Sequence, residues 1–144
     1  MNFQISPYKS FNLGTWRQQL LVAIIYGAIA ISLLSPMASV EVMPDIPDAI
    51  INVSHTVQAR MALEEGQFPL RVAPWQHNGW RYPVFQFYGQ FIYTFTGLVY
   101  QHVTPTNPYL ACLIALWLAL TGSGFFIYRT SLLLTRSSYS LCIA

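Results

Sequence analysis

At 144 residues, 54% apolar and 8% charged, the chain falls far below the roughly 25% charged residues of ordinary soluble domains and belongs to the membrane class. A net charge of +2, spread along the chain, is too small for a nucleic-acid footprint, so no nucleic-acid partner is expected. Cys112 and Cys142 lie in apolar runs without a CxxC or Cys/His neighbour and read as small packing residues, not as disulfide or zinc chemistry.

Residues 1–14 are polar and turn-rich, with Lys9 the only charge, and are expected in the cytoplasm. Thr15, Trp16, Arg17 and Gln18 read as a capping box at a helix start. Residues 20–40 carry no charge, long enough for the about 20 apolar residues a bilayer requires, so a first transmembrane helix is expected over 15–40. Ser35 and Pro36 should end or kink it. The long polar lead and the poor cleavage site near Pro36 argue against a removed signal peptide. Lys9 and Arg17, with no acid before Glu41, place the N-terminus inside and residues 41–84 outside.

All five acidic residues (Glu41, Asp45, Asp48, Glu64 and Glu65) fall in that outer loop. A helix is expected over about 46–65, capped by Asp45 or Asp48, with Pro47 in its first turn and Gly66 as its C′ stop. At 100° per residue Ile46, Ile50, Val53, Val57 and Met61 form one stripe, and Asp48, Asn52, His55, Ala59 and Ala62 the opposite one. An amphipathic helix lying on the membrane surface or against the bundle would bury the first stripe and turn Asp48, Asn52 and His55 to water. Residues 67–83 have no helical period and hold Arg71, Trp75, His77, Trp80, Arg81 and Tyr82 among Pro69, Pro74, Gly79 and Pro83.

A second transmembrane helix is expected over 85–103, where Gln86, Gln90, Thr94, Gly97 and Gln101 make a polar-and-small stripe that must face protein or a wet cavity. After a turn at 104–108, a third over 109–128 offers Ala111, Ala115, Ala119 and Gly122 as a close-packing face. Residues 129–136 read as a polar-basic break, and 139–144 as the opening of a fourth helix. The expected fold is an all-α membrane protein of three transmembrane helices, the start of a fourth, and an extracytoplasmic amphipathic helix and loop between the first two. If 85–103 crosses, Arg129 and Arg136 fall outside, against the positive-inside bias; if it only re-enters or lies in the interface, they fall inside. Its length and lack of charge favour crossing.

Asp48, Asn52 and His55 stand at i, i+4 and i+7, a spacing at which a carboxylate, an amide and an imidazole can activate a hydroxyl or hold a divalent cation. Asp45 competes with Asp48 for the acid; the plain alternative is that Asp48 caps the helix and His55 is a satisfied interfacial polar residue. Arg60, Arg71 and Arg81 can clamp phosphate, or contact lipid headgroups and loop carboxylates. Trp75, Trp80 and Tyr82 can stack on a sugar ring or anchor the loop at the interface. Asn52, His77, Gln86 and Gln90 complete the candidate substrate-binding set. Asn52, Val53 and Ser54 match a glycosylation sequon but lie inside the expected helix. There is no Gly-rich phosphate loop, GxSxG or HExxH.

Pro47-Asp48, His55, Ala59-Arg60, the run from Glu65 through Gly66, Gln67, Phe68, Pro69 and Leu70 to Arg71, Gly79, and the run Tyr82, Pro83, Val84, Phe85, Gln86, Phe87, Tyr88 carry a resemblance. Together they resemble a bacterial family of polytopic membrane proteins described as 6-pyruvoyl-tetrahydropterin-synthase-related, itself similar to GT-C glycosyltransferases. The resemblance covers roughly 15–144, the amino-terminal part of such proteins. It implies a multi-pass protein of the bacterial plasma membrane whose outer loop acts on polyprenyl-phosphate-linked sugars, with Asp48 as base toward an acceptor hydroxyl and Arg60 or Arg71 on the leaving phosphate. Where the family pattern has an acid three residues before the histidine this chain has Asn52, which leaves the acid between Asp48 and Asp45. GT-C enzymes have about eight or more spans, so the chain is expected to be part of a larger membrane protein. The other readings are a non-catalytic membrane protein whose outer loop binds glycan, lipid headgroup or a protein, and a transporter fragment with Gln86, Gln90 and Thr94 lining a polar path.

Overall fold

The structure, a computed structural model, describes residues 16–39 and 48–135. Expectations resting on Thr15, Asp45, Pro47, Arg136, Cys142 and the opening of a fourth helix, like those on the side chain of His77, fall outside what it describes. The described chain is mostly helical and contains no strand.

Helix α1 (Trp16–Leu34) runs into a 3-10 turn, Ser35–Met37, built on Pro36. It packs antiparallel to α6 (Pro108–Thr135). The Tyr109 hydroxyl donates to Met37 O at 2.6 Å, Trp117 Nε1 donates to Gly27 O at 3.0 Å, and the Tyr26 ring lies against Gly124. Small residues let the backbones approach: a Cβ on Gly124 would collide with that ring. Both helices are long and apolar enough to cross a bilayer, over Trp16–Met37 and Pro108–Leu134, and only 17% and 22% of their apolar windows are buried. A core helix of a soluble domain would hide far more. Leu20, Leu21, Ile24, Ile31, Leu116, Phe126 and Leu134 remain exposed instead.

Among the described residues two helices, not three, meet the length test. The expected second span is divided into α4 (Val84–Phe87) and α5 (Gln90–His102), separated by an extended Tyr88 (φ −106°, ψ 155°) and by Gly89. At 13 residues α5 is about 20 Å long, short of the ~30 Å hydrocarbon core. The expected break at 129–136 is also displaced, because α6 stays helical through Thr135. There the Thr130 hydroxyl donates back to Phe126 O (2.9 Å) and the Arg129 guanidinium lies over the Phe125 ring (5.9 Å), so neither polar side chain interrupts the helix. On α6 Ala111 and Ala115 are buried as a close-packing face, but Ala119 is exposed and Gly122 faces open space. Gly124 takes the contact with α1.

At the Pro108 end of this hairpin sits a second layer, in which α2 (Ala49–Glu64) runs parallel to α5. Asn52 meets Tyr93, Thr56 meets Thr96 and Ala59 meets Gly97. The connecting segment, including α3 (Gln76–Gly79), closes on itself through Ala73 N donating to Tyr82 O at 2.8 Å. Ala59, Ala62, Leu70, Ala73, Val84, Phe85 and Tyr93 form its core. Helix α2 stops as its sequence dictates: Gly66 has φ +80°, Gly66 N donates to Leu63 O (2.9 Å) and Gln67 N to Ala62 O (2.9 Å), a Schellman closure.

The stripe of α2 expected to face water is the one that packs inward at His55, Ala59 and Ala62, while Val53, Val57 and Met61 of the apolar stripe are half-buried. The buried residues of α2 are His55, Thr56, Ala59 and Ala62, while Ile50 and Ile51 are about half exposed. Small and polar groups make the helix–helix contact because they allow close approach and can pair across it. The aliphatic stripe is left half-buried, and exposed at Ile50.

Candidate functional site

Asp48 occupies the N-cap of α2, but its carboxylate makes no capping bond and the residue is exposed. Its carbonyl oxygen accepts both Asn52 N (3.0 Å) and Asn52 Nδ2 (2.9 Å). Asn52 Oδ1 accepts the Tyr93 hydroxyl at 2.8 Å, and Tyr93 Oη lies 3.3 Å from His55 Nδ1. His55 is 4% exposed, with the Tyr93 ring edge-on at 5.2 Å and the Tyr88 ring tilted at 5.5 Å. Asp48, Asn52 and His55 thus do lie along one side of α2, but that side packs against α5 where the imidazole sits. The water-facing triad is corrected: Asp48 and Asn52 are exposed, but His55 is buried behind them.

Burial holds the His55 imidazole below its ordinary pKa of 6.5, since the charged form loses solvent without gaining a carboxylate. Tyr93 is pushed up by the same burial, with smaller contributions from Tyr88 and Cys112. Behind this relay Thr56 donates to Thr96 Oγ1 (3.1 Å), Thr96 donates to Tyr93 O (3.3 Å), and Cys112 Sγ lies 3.3 Å from Thr56 Oγ1. The thiol proton completes a chain in which each hydroxyl donates once.

The arginines divide. Arg60 Nε pairs with Glu64 (2.8 Å), its Nη1 donates to Pro105 O (3.1 Å), and its guanidinium lies 4.8 Å from the Tyr100 ring centre. Arg81 pairs with Glu65 (2.8 Å), which also accepts Gln67 Nε2 (3.2 Å). Both are engaged by loop carboxylates, and neither points freely at a phosphate. Arg71 is exposed and makes no ion pair among the described residues.

Trp75 and Trp80 are 66% and 85% exposed, and Phe68, Tyr82, Phe87, Tyr88 and Phe91 are further exposed aromatics of the same segment. Trp75 is held by its backbone, whose N–H donates to Gln58 Oε1 at 2.8 Å. His77 belongs to α3. Gln86 is exposed on α4 and Gln90 half-buried at the start of α5, while the Thr94 hydroxyl turns back to Gln90 O (2.8 Å). The break at Tyr88 and Gly89 therefore dissolves the expected polar path. Among the described residues no three His, Cys, Asp or Glu side chains converge as a metal site.

The sequence reading missed Tyr93, Tyr88, Thr56 and Thr96. The signal was present: Tyr93, Thr96, Gly97 and Tyr100 repeat at i, i+3, i+4 and i+7, the register of Asn52, His55, Thr56 and Ala59. No family model matches the chain, and no curated protein or solved structure is detectably similar to it.

Proposed function

We propose that this chain is the membrane-anchored part of a glycan-handling protein, with α1 and α6 crossing the bilayer and the α2–α5 layer working at the outer face. The antiparallel pairing puts Arg17 and Arg129 at the same end of the hairpin, opposite the layer, since Tyr26 packs on Gly124 and Met37 meets Tyr109. With two crossings both arginines lie on the cytoplasmic side, which satisfies the positive-inside rule that a three-span arrangement violates. The Ile50 and Ile51 side of α2 then rests on lipid.

The observation that carries the glycan reading is the exposure of Trp75 and Trp80 on a loop whose backbone is held at Ala73, Trp75 and Tyr82. Exposed indole faces in the same loop as Arg71, which makes no ion pair among the described residues, suit the apolar face of a sugar ring and, for a lipid-linked sugar, its phosphate. The test is tryptophan quenching of the whole chain in nanodiscs. Free N-acetylglucosamine or a polyprenyl-phosphate-linked sugar should shield the indoles from iodide, and Trp75→Ala and Trp80→Ala should each reduce the shielding. Strong quenching by brominated lipid with no effect of either sugar would make the aromatics a bilayer anchor and end this reading.

Sugar transfer, as the family resemblance implies, is the second reading. It is favoured by the Asp48 carboxylate, exposed and uncommitted to its own helix. Loss of transfer in Asp48→Asn with retained sugar shielding would support it, and full retention of transfer would exclude Asp48 as the base.

A further inference from the structure

The relay fixes where every proton lies. Asn52 Nδ2 donates to Asp48 O at 2.9 Å, which sets the amide so that Oδ1 faces Tyr93. Oδ1 can only accept, so the single hydroxyl proton of Tyr93 is spent on it at 2.8 Å. Tyr93 Oη therefore presents a lone pair to His55 Nδ1 at 3.3 Å, and Nδ1 must carry the imidazole hydrogen. That leaves Nε2 bare. It has no hydrogen-bond partner among the described residues, although the residue is 4% exposed, and it is not among the described atoms sealed without a partner, which are Gln76 Oε1, Thr104 Oγ1 and Thr121 Oγ1. A ring nitrogen with a free lone pair and no donor among the described residues can accept a hydrogen bond from a ligand.

We propose that Asn52 and Tyr93 are positioning residues that lock His55 in its Nδ1–H form, holding Nε2 as an acceptor for a ligand hydroxyl that lies against Tyr88. The ring of Tyr88, 54% exposed and 5.5 Å from the imidazole, gives that hydroxyl's carbon frame an apolar face to rest on. The ligand class is a neutral polyol such as a sugar. Among the described residues no three His, Cys, Asp or Glu side chains converge to share a metal ion with Nε2, and a carboxylate or phosphate would meet a lone pair. The ligand assignment rests on the glycan reading above; the tautomer does not.

The experiment is imidazole 15N and 13C NMR on the whole chain in nanodiscs, in a His77→Gln, His102→Gln background so that His55 alone reports. The wild-type relay should give the Nδ1–H tautomer. Asn52→Ala, at an exposed helical position that Ala suits, frees the Tyr93 proton to be donated to Nδ1 and should switch His55 to Nε2–H. Tyr93→Phe should give a mixture. A merely structural contact would not produce that switch. Nε2–H in the wild type, or no change in Asn52→Ala, overturns the lock. N-acetylglucosamine or glycerol should then shift the Nε2 resonance of the wild type and not of Asn52→Ala. If the sugar shields Trp75 and Trp80 but leaves Nε2 unmoved, the His55 site is wrong and the glycan reading of the indoles stands. If Nε2 shifts while the indoles stay unshielded, the site stands and that reading is wrong.

Discussion

Gly97 lies directly on the backbone of Ala59: a Cβ built there would come within 3.1 Å of Ala59 Cβ, 3.1 Å of Arg60 N and 3.2 Å of Ala59 C. Two of those three atoms are main chain, in the middle of a helix, and cannot step aside. Gly97→Ala adds helix propensity of up to about 1 kcal/mol, but it wedges α5 off α2. Overpacking of this kind costs about 1–3 kcal/mol, so the clash wins, and Gly97→Leu should prevent the layer from closing. Thermal unfolding in detergent should rank wild type above Gly97→Ala above Gly97→Leu. Gly122→Ala, where a Cβ meets open space, should be neutral or mildly stabilising.

Thr56 is fully buried and joins three helices, donating to Thr96 on α5 and lying against Cys112 on α6. Valine has the same shape but no hydroxyl. Thr56→Val therefore leaves Thr96 and Cys112 short of a partner with little change in packing, at a cost of about 1–3 kcal/mol. The double variant Thr56→Val, Thr96→Val should lose less than the sum of the single ones, because the unpaired group is removed with its partner. A double-mutant cycle on unfolding midpoints measures that coupling, and strict additivity would mean the two hydroxyls do not depend on each other.

Much of this architecture could be read from residue type and spacing. The apolar runs gave both long helices, and Gly66 after Glu64 and Glu65 gave the end of α2. Burial polarity was harder to see. In water an apolar stripe turns inward, but beside lipid it has no reason to, and the contact falls to whatever packs closely. For α2 that is Ala59 and Ala62, with His55 and Thr56 pairing across the interface. The division of 85–103 falls at Tyr88 and Gly89, two residues in an uncharged stretch whose composition suits a span. The positions of Arg60 and Arg81 depended on partners that spacing reveals in one case and not the other: Glu64 is four residues from Arg60, whereas Glu65 reaches Arg81 only through the fold of the loop.

At Gly66 the left-handed φ of +80° meets no neighbouring atom within 4 Å, so a side chain there is strained by the backbone alone. Gly66→Ala should cost on the order of 1 kcal/mol. The loss should show locally, as faster amide exchange at Gly66 and Gln67, whose N–H groups close the helix, with the Thr56–Thr96 region unchanged.

His55 gives the chain an acid limit. Its folded pKa lies below the unfolded value of about 6.5 because burial penalises the imidazolium, so the unfolded chain binds the proton more readily. The neutral ring's contribution is complete above about pH 6.5, declines as pH falls through that value, and stops declining once the folded pKa is reached. Among the described residues the groups facing the ring are Tyr93 and Tyr88, with the Asn52 amide behind Tyr93, and no carboxylate is among them. Unfolding temperature in nanodiscs should therefore fall between about pH 7 and pH 5. His55→Gln should flatten that slope, whereas His102→Gln, on an exposed side chain at the end of α5, should leave it in place. A wild-type slope that survives in His55→Gln would assign the acid sensitivity to another group and leave His55 as packing only.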